Sequence, residues 1–240
     1  MREIVPAILP KSFAELEEKL PLVSGIVPCV QVDLCDGRFV QSTTWPFGIN
    51  HDAHFDAIVS ESEGMPLWNE LQFEFDLMCA KPEEAYQTAV RLGASRAIVH
   101  FGAFNKDSSE LDSFIVRYGK AGTLRGSILD VELGLAFLPS TPIEIISLYV
   151  NRVDFIQIMG IERIGFQGEK FTDKALNLIK AIRVTHPDII ISVDGGVHSE
   201  NAESIFEAGA NRLVIGSAIF GEPNASEITE AFVHLAHDHA

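Results

Sequence analysis

The chain has 240 residues, 47% of them hydrophobic, and a formal charge of −16; that is enough apolar material for one large domain with a sizeable core. The negative balance disfavours nucleic acid or an anionic membrane surface as the main partner, but not a small phosphorylated ligand, which is held by local N–H groups rather than by net charge. No apolar run approaches the roughly 20 residues of a membrane span, and three cysteines without CxxC spacing fit a reducing compartment, so the expectation is a cytoplasmic protein.

Strand-like and helix-like segments alternate along the chain. Ile4–Leu9 predicts a first strand, after which Ser12 caps a helix through Leu20 with Glu15 at the capping-box position. Cys29–Leu34 is a second strand and Phe73–Met78 a third, followed by a helix that opens on Pro82. Arg96–Phe101 is the fourth strand, with a helix over Asp107–Lys120. A fifth strand lies within Val131–Leu138, and Thr141-Pro142 opens a helix to Tyr149. Asp154–Met159, Ile189–Asp194 and Arg212–Ile215 are the sixth, seventh and eighth strands. The helices after them cover Thr172–Thr185, Ser199–Ala208 (ended by Gly209) and roughly Ala225–His237.

Eight such units joined by short connections predict an α/β fold, a closed (β/α)8 TIM barrel forming a single domain over residues 1–240. An open doubly wound sheet is the alternative, and no GxGxxG follows the first strand to mark a dinucleotide site. Two stretches exceed what a barrel needs and read as surface additions. One is Gln41–Asn69; the other, Gly119–Asp130, either extends a helix or forms a loop.

Alternation along each strand separates its faces. Val30, Val32 and Leu34 face the helix layer while Gln31, Asp33 and Cys35 face the barrel axis; Phe73, Phe75 and Leu77 point out while Glu74, Asp76 and Met78 point in. Ile191 and Val193 point out, Ser192 and Asp194 in, and Ile98 and His100 share the inner face of the fourth strand. The expected result is a polar ring of Gln31, Asp33, Asp76, His100 and Asp194, with Glu74 an ordinary polar residue at the lower mouth. His100 alone reads as a core histidine. Converging carboxylates do not, because burying unpaired charge costs several kcal/mol. Asp194 leaves a buried strand directly into Gly195-Gly196, and the eighth strand ends in Gly216-Ser217, two turns suited to cradling a phosphate.

These residues carry a resemblance to the ribulose-phosphate 3-epimerases of the ribulose-phosphate-binding barrels. Pro6-Ala7-Ile8-Leu9 is similar to the family's Pro-Ser-Ile-Leu, and Gln31-Val32-Asp33-Leu34-Cys35-Asp36-Gly37-Arg38-Phe39-Val40 to its His-x-Asp-x-Met-Asp-Gly-x-Phe-Val. Phe75-Asp76-Leu77-Met78 stands where it has x-His-Leu-Met, and Leu138-Pro139-Ser140-Thr141-Pro142 where it has Asn-Pro-Ala-Thr-Pro. Gly165-Phe166-Gln167-Gly168-Glu169-Lys170-Phe171 is similar to Gly-Phe-Gly-Gly-Gln-Lys-Phe, and Val193-Asp194-Gly195-Gly196 and Gly216-Ser217-Ala218-Ile219-Phe220 match directly.

The resemblance implies inversion of the carbon next to the ketone of a phosphorylated ketose, a pentulose or hexulose phosphate, by proton transfer between Asp33 and Asp194. It implies phosphate binding by backbone N–H groups of Gly165–Gly168, Gly195-Gly196 and Gly216-Ser217, with Met78, Met159 and His100 near the substrate, and a homo-oligomer. The family's divalent metal is held by two histidines and the two aspartates; here Gln31 and Asp76 stand at the histidine positions. A set of Gln31, Asp33, Asp76 and Asp194 is all oxygen and favours Mg²⁺ or Mn²⁺ over Zn²⁺. Without a metal the acids repel one another and at least one titrates with a raised pKa. Ala7 replaces a serine, Cys35 a methionine and Gln167 a glycine. These departures motivate a second reading, a catalytically inactive sugar-phosphate-binding homologue. The related hexulose-phosphate synthases and decarboxylases carry Asp-x-Lys-x-x-Asp, whose lysine is missing from Asp33-Leu34-Cys35-Asp36. His234, His237 and His239 read as solvated rather than metal-binding.

Overall fold

The computed structural model describes residues 2–48, 52–104, 108–126, 130–166 and 168–238. Eight parallel strands follow one another around a ring: β1 (Glu3–Ile8), β2 (Cys29–Cys35), β3 (Gln72–Met78), β4 (Ala94–His100), β5 (Glu132–Phe137), β6 (Phe155–Met159), β7 (Ile190–Asp194) and β8 (Arg212–Ile215). Pairing of Glu3–Pro6 on β1 with Arg212–Ile215 on β8 closes the ring and rules out the open sheet. The fold is the expected TIM barrel.

Outside it lie α1 (Phe13–Lys19), α2 (Ala53–Val59), α3 (Pro82–Arg91), α4 (Ser108–Tyr118), α5 (Ile143–Ser147), α6 (Asp173–Thr185), α7 (Ser199–Glu207), α8 (Ser217–Phe220) and α9 (Ala225–Asp238). No helix among the described residues is long and apolar enough to cross a membrane. Ser12 caps α1 by accepting the Glu15 N–H at 3.3 Å, but the Glu15 carboxylate takes the Lys11 N–H at 2.7 Å, one residue beyond the capping-box partner. The predicted start of α4 at Asp107 lies outside the described residues. Within the first long stretch a helix absent from the expected elements forms: Asp52 caps α2 by accepting the N–H groups of His54 and Phe55 at 2.9 and 3.2 Å. Residues 119–126 form turns rather than a helix extension. Arg125 anchors them to Asp154, whose carboxylate also receives the Leu133 N–H at 2.8 Å.

The faces are as alternation requires. Val30, Val32, Leu34, Phe73, Phe75, Leu77, Ile191 and Val193 belong to the large core between sheet and helices. The inward residues form separate clusters, among them Val5, Ala7 and Val214, and Ile98, Ala136, Phe155 and Met159. Gly134 makes room for the Phe155 ring at the axis: a Cβ there would lie 2.5 Å from it.

The lower mouth is closed by charge. Arg96 grips Glu3 with two N–H···O bonds of 2.9 and 3.0 Å, and its Nε lies 2.7 Å from Glu74 Oε2. That last contact is an ion pair without hydrogen-bond alignment. Glu74 is fully buried, and burial raises its pKa against the pull of Arg96 and Arg212. Opposite charges packed in this way seal the barrel floor and leave the C-terminal ends of the strands as its open side.

Candidate functional site

The ends of β2, β3 and β7 bring three carboxylates together. Asp33, Asp76 and Asp194 each present an oxygen within 4.8 Å of the others, and among the described residues they are the one group of three His, Cys, Asp or Glu side chains placed to hold a metal. Asp33 and Asp76 are partners in the β2–β3 register, whereas Asp194 comes from across the barrel.

Two buried glutamines brace this trio. Gln31 Nε2 donates to Asp33 Oδ1 at 2.8 Å and to Asp194 Oδ2 at 3.1 Å. Gln157, from the inner face of β6, donates through Nε2 to Asp76 Oδ2 at 3.1 Å and Asp194 Oδ2 at 3.5 Å. His100 Nε2 lies 2.7 Å from the other oxygen of Asp76. The donors leave the trio crowded all the same. Burial, followed by the charges of Asp194 and Asp76, pushes Asp33 well above the usual carboxylate range; burial and then Asp76 raise Asp194 to about 7.

Above the trio opens a cleft. Asp33 and Asp194 face it, with Met78 and Met159 on its walls. Gly165, Gly168, Gly195, Gly196, Gly216 and Ser217 line it as well. Gln31, Asp76 and His100 do not reach it: they lie beneath, at 0%, 0% and 3% exposure. The glycine turns are built for close backbone approach. Gly195 and Gly196 have φ of +99° and +68°, and a Cβ on Gly196 would meet the Phe171 nitrogen at 2.4 Å. The β6–α6 loop is tied down on both sides, by the Gly160 N–H donating to the Asp194 carbonyl at 2.6 Å and by the Ser42 hydroxyl donating to the Gly165 carbonyl. Gln167 lies outside the described residues.

Two contributors escaped sequence reasoning. Gln157 sits in Phe155-Ile156-Gln157-Ile158-Met159, and its inward parity was readable as a lone amide among apolar neighbours. Thr44 had no such signal; its hydroxyl donates to the Asp33 carbonyl and accepts the Cys35 N–H, both at 2.8 Å, fixing the end of β2. Asp36 is structural: burial pushes its pKa up, but N–H bonds from Phe39, Ala80 and Arg38 outweigh that and lower it. Cys29, Cys35 and Cys79 are free and buried, and burial raises all three thiols, Cys29 to about 12. His234 and His237 are exposed on α9, and His239 lies outside the described residues.

The donor set fits a hard divalent cation. Three carboxylates converge, and the Oε1 atoms of Gln31 and Gln157 are buried beside them without a hydrogen-bond partner among the described residues.

A closed parallel barrel with acids and glycine turns at the C-terminal strand ends has the layout of a TIM-barrel enzyme. Residues 3–220 match the Ribulose-phosphate 3 epimerase family, and the chain belongs to it. It is 29% identical over 228 residues to the ribulose-phosphate 3-epimerase of Bacillus subtilis (strain 168), covering 92% of this chain and 94% of the relative. It is 30% identical over 230 residues to that of a Synechocystis species, covering 93% and 90%. The solved structure of KGPDC from Streptococcus mutans aligns with a TM-score of 0.69 over 99% of this chain and 98% of that one, at 14% identity, a likeness of fold alone.

Proposed function

We propose that the protein epimerises a phosphorylated ketose at the carbon next to its ketone, with ribulose 5-phosphate and xylulose 5-phosphate the first pair to test. The observation that carries this reading is the cleft itself, which Asp33 and Asp194 line together with the glycine turns after β6, β7 and β8. A phosphate seated on N–H groups of Gly168, Gly196 and Ser217 leaves the sugar carbons over the two acids. Asp33 and Asp194 come from non-neighbouring strands, β2 and β7, which suits attack on one carbon from two sides, as inversion demands.

An α-C–H proton is too weakly acidic for an ordinary carboxylate, so the acids need environments that set them apart. Crowding supplies this. In the absence of a cation burial and mutual repulsion raise both pKa values, so the pair shares a proton that one member can accept while the other donates. Gln31, hydrogen-bonded to both, holds their spacing. Asp33, Asp76 and Asp194 are the residues that would hold a divalent cation, Mg²⁺ or Mn²⁺ before Zn²⁺, which supplies positive charge for the substrate oxygens that become anionic.

The test is incubation with ribulose 5-phosphate in deuterated water, with Mg²⁺, Mn²⁺ and Zn²⁺ added separately. The expected result is xylulose 5-phosphate carrying deuterium at C3. No product and no exchange with any metal overturns the pentulose assignment, and a hexulose 6-phosphate takes its place in the same assay. Asp76, fully buried and not itself lining the cleft, favours a second reading as a sugar-phosphate binder without turnover. Turnover abolished by Asp194→Asn eliminates that reading.

A further inference from the structure

We infer that Gln157 is an oxygen ligand of the cation site, reached by a half-turn of its terminal amide. Its side chain is fully buried, and Nε2 sits at the centre of a crowded set of acceptors: Asp76 Oδ2 at 3.1 Å, Asp194 Oδ2 at 3.5 Å and Met159 Sδ at 3.8 Å. The other end of the same amide, Oε1, has no hydrogen-bond partner among the described residues. A buried amide that satisfies its donors and strands its acceptor is half used.

The arrangement suits two occupancies. With no cation, the N–H groups face the carboxylates and offset their repulsion. With a cation between the carboxylates, N–H groups directed at it would be repelled, and rotation about the last side-chain bond turns Oε1 towards the charge without moving the backbone. Gln31 shares the pattern from the opposite side: Nε2 lies on Asp33 and Asp194, and Oε1 is stranded. Three carboxylate and two amide oxygens make a hard, all-oxygen set, matched to Mn²⁺ or Mg²⁺ and poorly matched to Zn²⁺, which prefers four ligands with nitrogen or sulfur among them. His100 is held against Asp76 from behind, the place of a group that orients a ligand rather than one that binds the metal.

This inference rests on the cation reading of the site but not on turnover, and its test uses no substrate. Mn²⁺ binding to the full chain is measured by calorimetry and by the loss of the free-ion paramagnetic signal, at pH 8, for wild type, Gln157→Leu and Gln157→Glu. Leucine keeps the packing and removes the oxygen; glutamate keeps an oxygen and loses the amide. The expected result is a Mn²⁺ affinity about 10- to 100-fold lower in Gln157→Leu and at least wild-type affinity in Gln157→Glu. Residues that matter only for packing give the reverse order. Equal affinity in wild type and Gln157→Leu overturns the inference while leaving an acid-only site intact. Weakening of Gln157→Glu as large as that of Gln157→Leu overturns it, and so does a wild-type protein that binds no Mn²⁺. Thermal unfolding in chelator verifies folding; should Gln157→Leu not fold, Gln157→Asn, whose oxygen falls one methylene short, carries the same expectation.

Discussion

Replacing Asp194 by Asn removes one of three acids whose oxygens lie within 4.8 Å of each other, and the consequence for stability has a definite sign. In the folded chain Asp194 keeps its proton until about pH 7, whereas the unfolded chain releases it near the ordinary value of 3.8. Between those values the folded state binds more protons, so raising the pH favours unfolding. A shift of this size corresponds to roughly 4 kcal/mol at about 1.4 kcal/mol per pH unit. Asp194 keeps some exposure to solvent, and screening there leaves about 2 kcal/mol as the order of magnitude. In a domain of this length that is about 4–8 °C in Tm. In chelator, Asp194→Asn should therefore melt about 4–8 °C above wild type at pH 8, with the gap closing toward pH 4. The assay is thermal unfolding of both proteins in steps from pH 4 to 8. Millimolar Mn²⁺ should then raise wild type and leave the variant nearly unmoved, since only wild type offers all three carboxylates. A gap that does not vary with pH, or a variant less stable than wild type at pH 8, refutes the account of crowded acids.

Asp33→Asn should lower kcat for epimerisation by about 10²- to 10⁴-fold, the range for losing one acid–base group, with the Kd for inorganic phosphate unchanged in titration calorimetry. Gly196→Ala forces a side chain onto φ of +68° and against the Phe171 nitrogen; it should cost about 1–3 kcal/mol in urea unfolding and weaken phosphate binding. Arg96→Met strips Glu74 of a buried counter-ion at the barrel floor, and urea unfolding should show a loss of about 3–5 kcal/mol with KM little changed, because neither side chain lines the cleft.

Much of the site was legible because strand parity is a local rule. Gln31, Asp33 and Asp76 were placed on the inner face by alternation alone, and the glycine turns by their positions after strands. The helix α2 was missed because it lies inside Gln41–Asn69, a Gly/Pro-punctuated stretch read as a surface addition. Gln157 was missed for a different reason: its inward parity was readable, but the importance of one amide in a five-residue apolar strand comes from what stands opposite. Thr44 acts through backbone groups nine and eleven residues away, which no periodicity encodes.

Local sequence therefore decided which side chains turn inward and where the chain bends tightly enough for backbone to meet a ligand, since both follow from bond geometry within a few residues. Closure of the ring, which pairs Glu3 with Arg212, was decided only in three dimensions. Closure is also what places Asp194 within reach of Gln31, 163 residues earlier in the chain. The proton affinities of the acids belong to that second level, because they depend on burial and on neighbouring charge, and both exist only once strands distant in sequence share one interior.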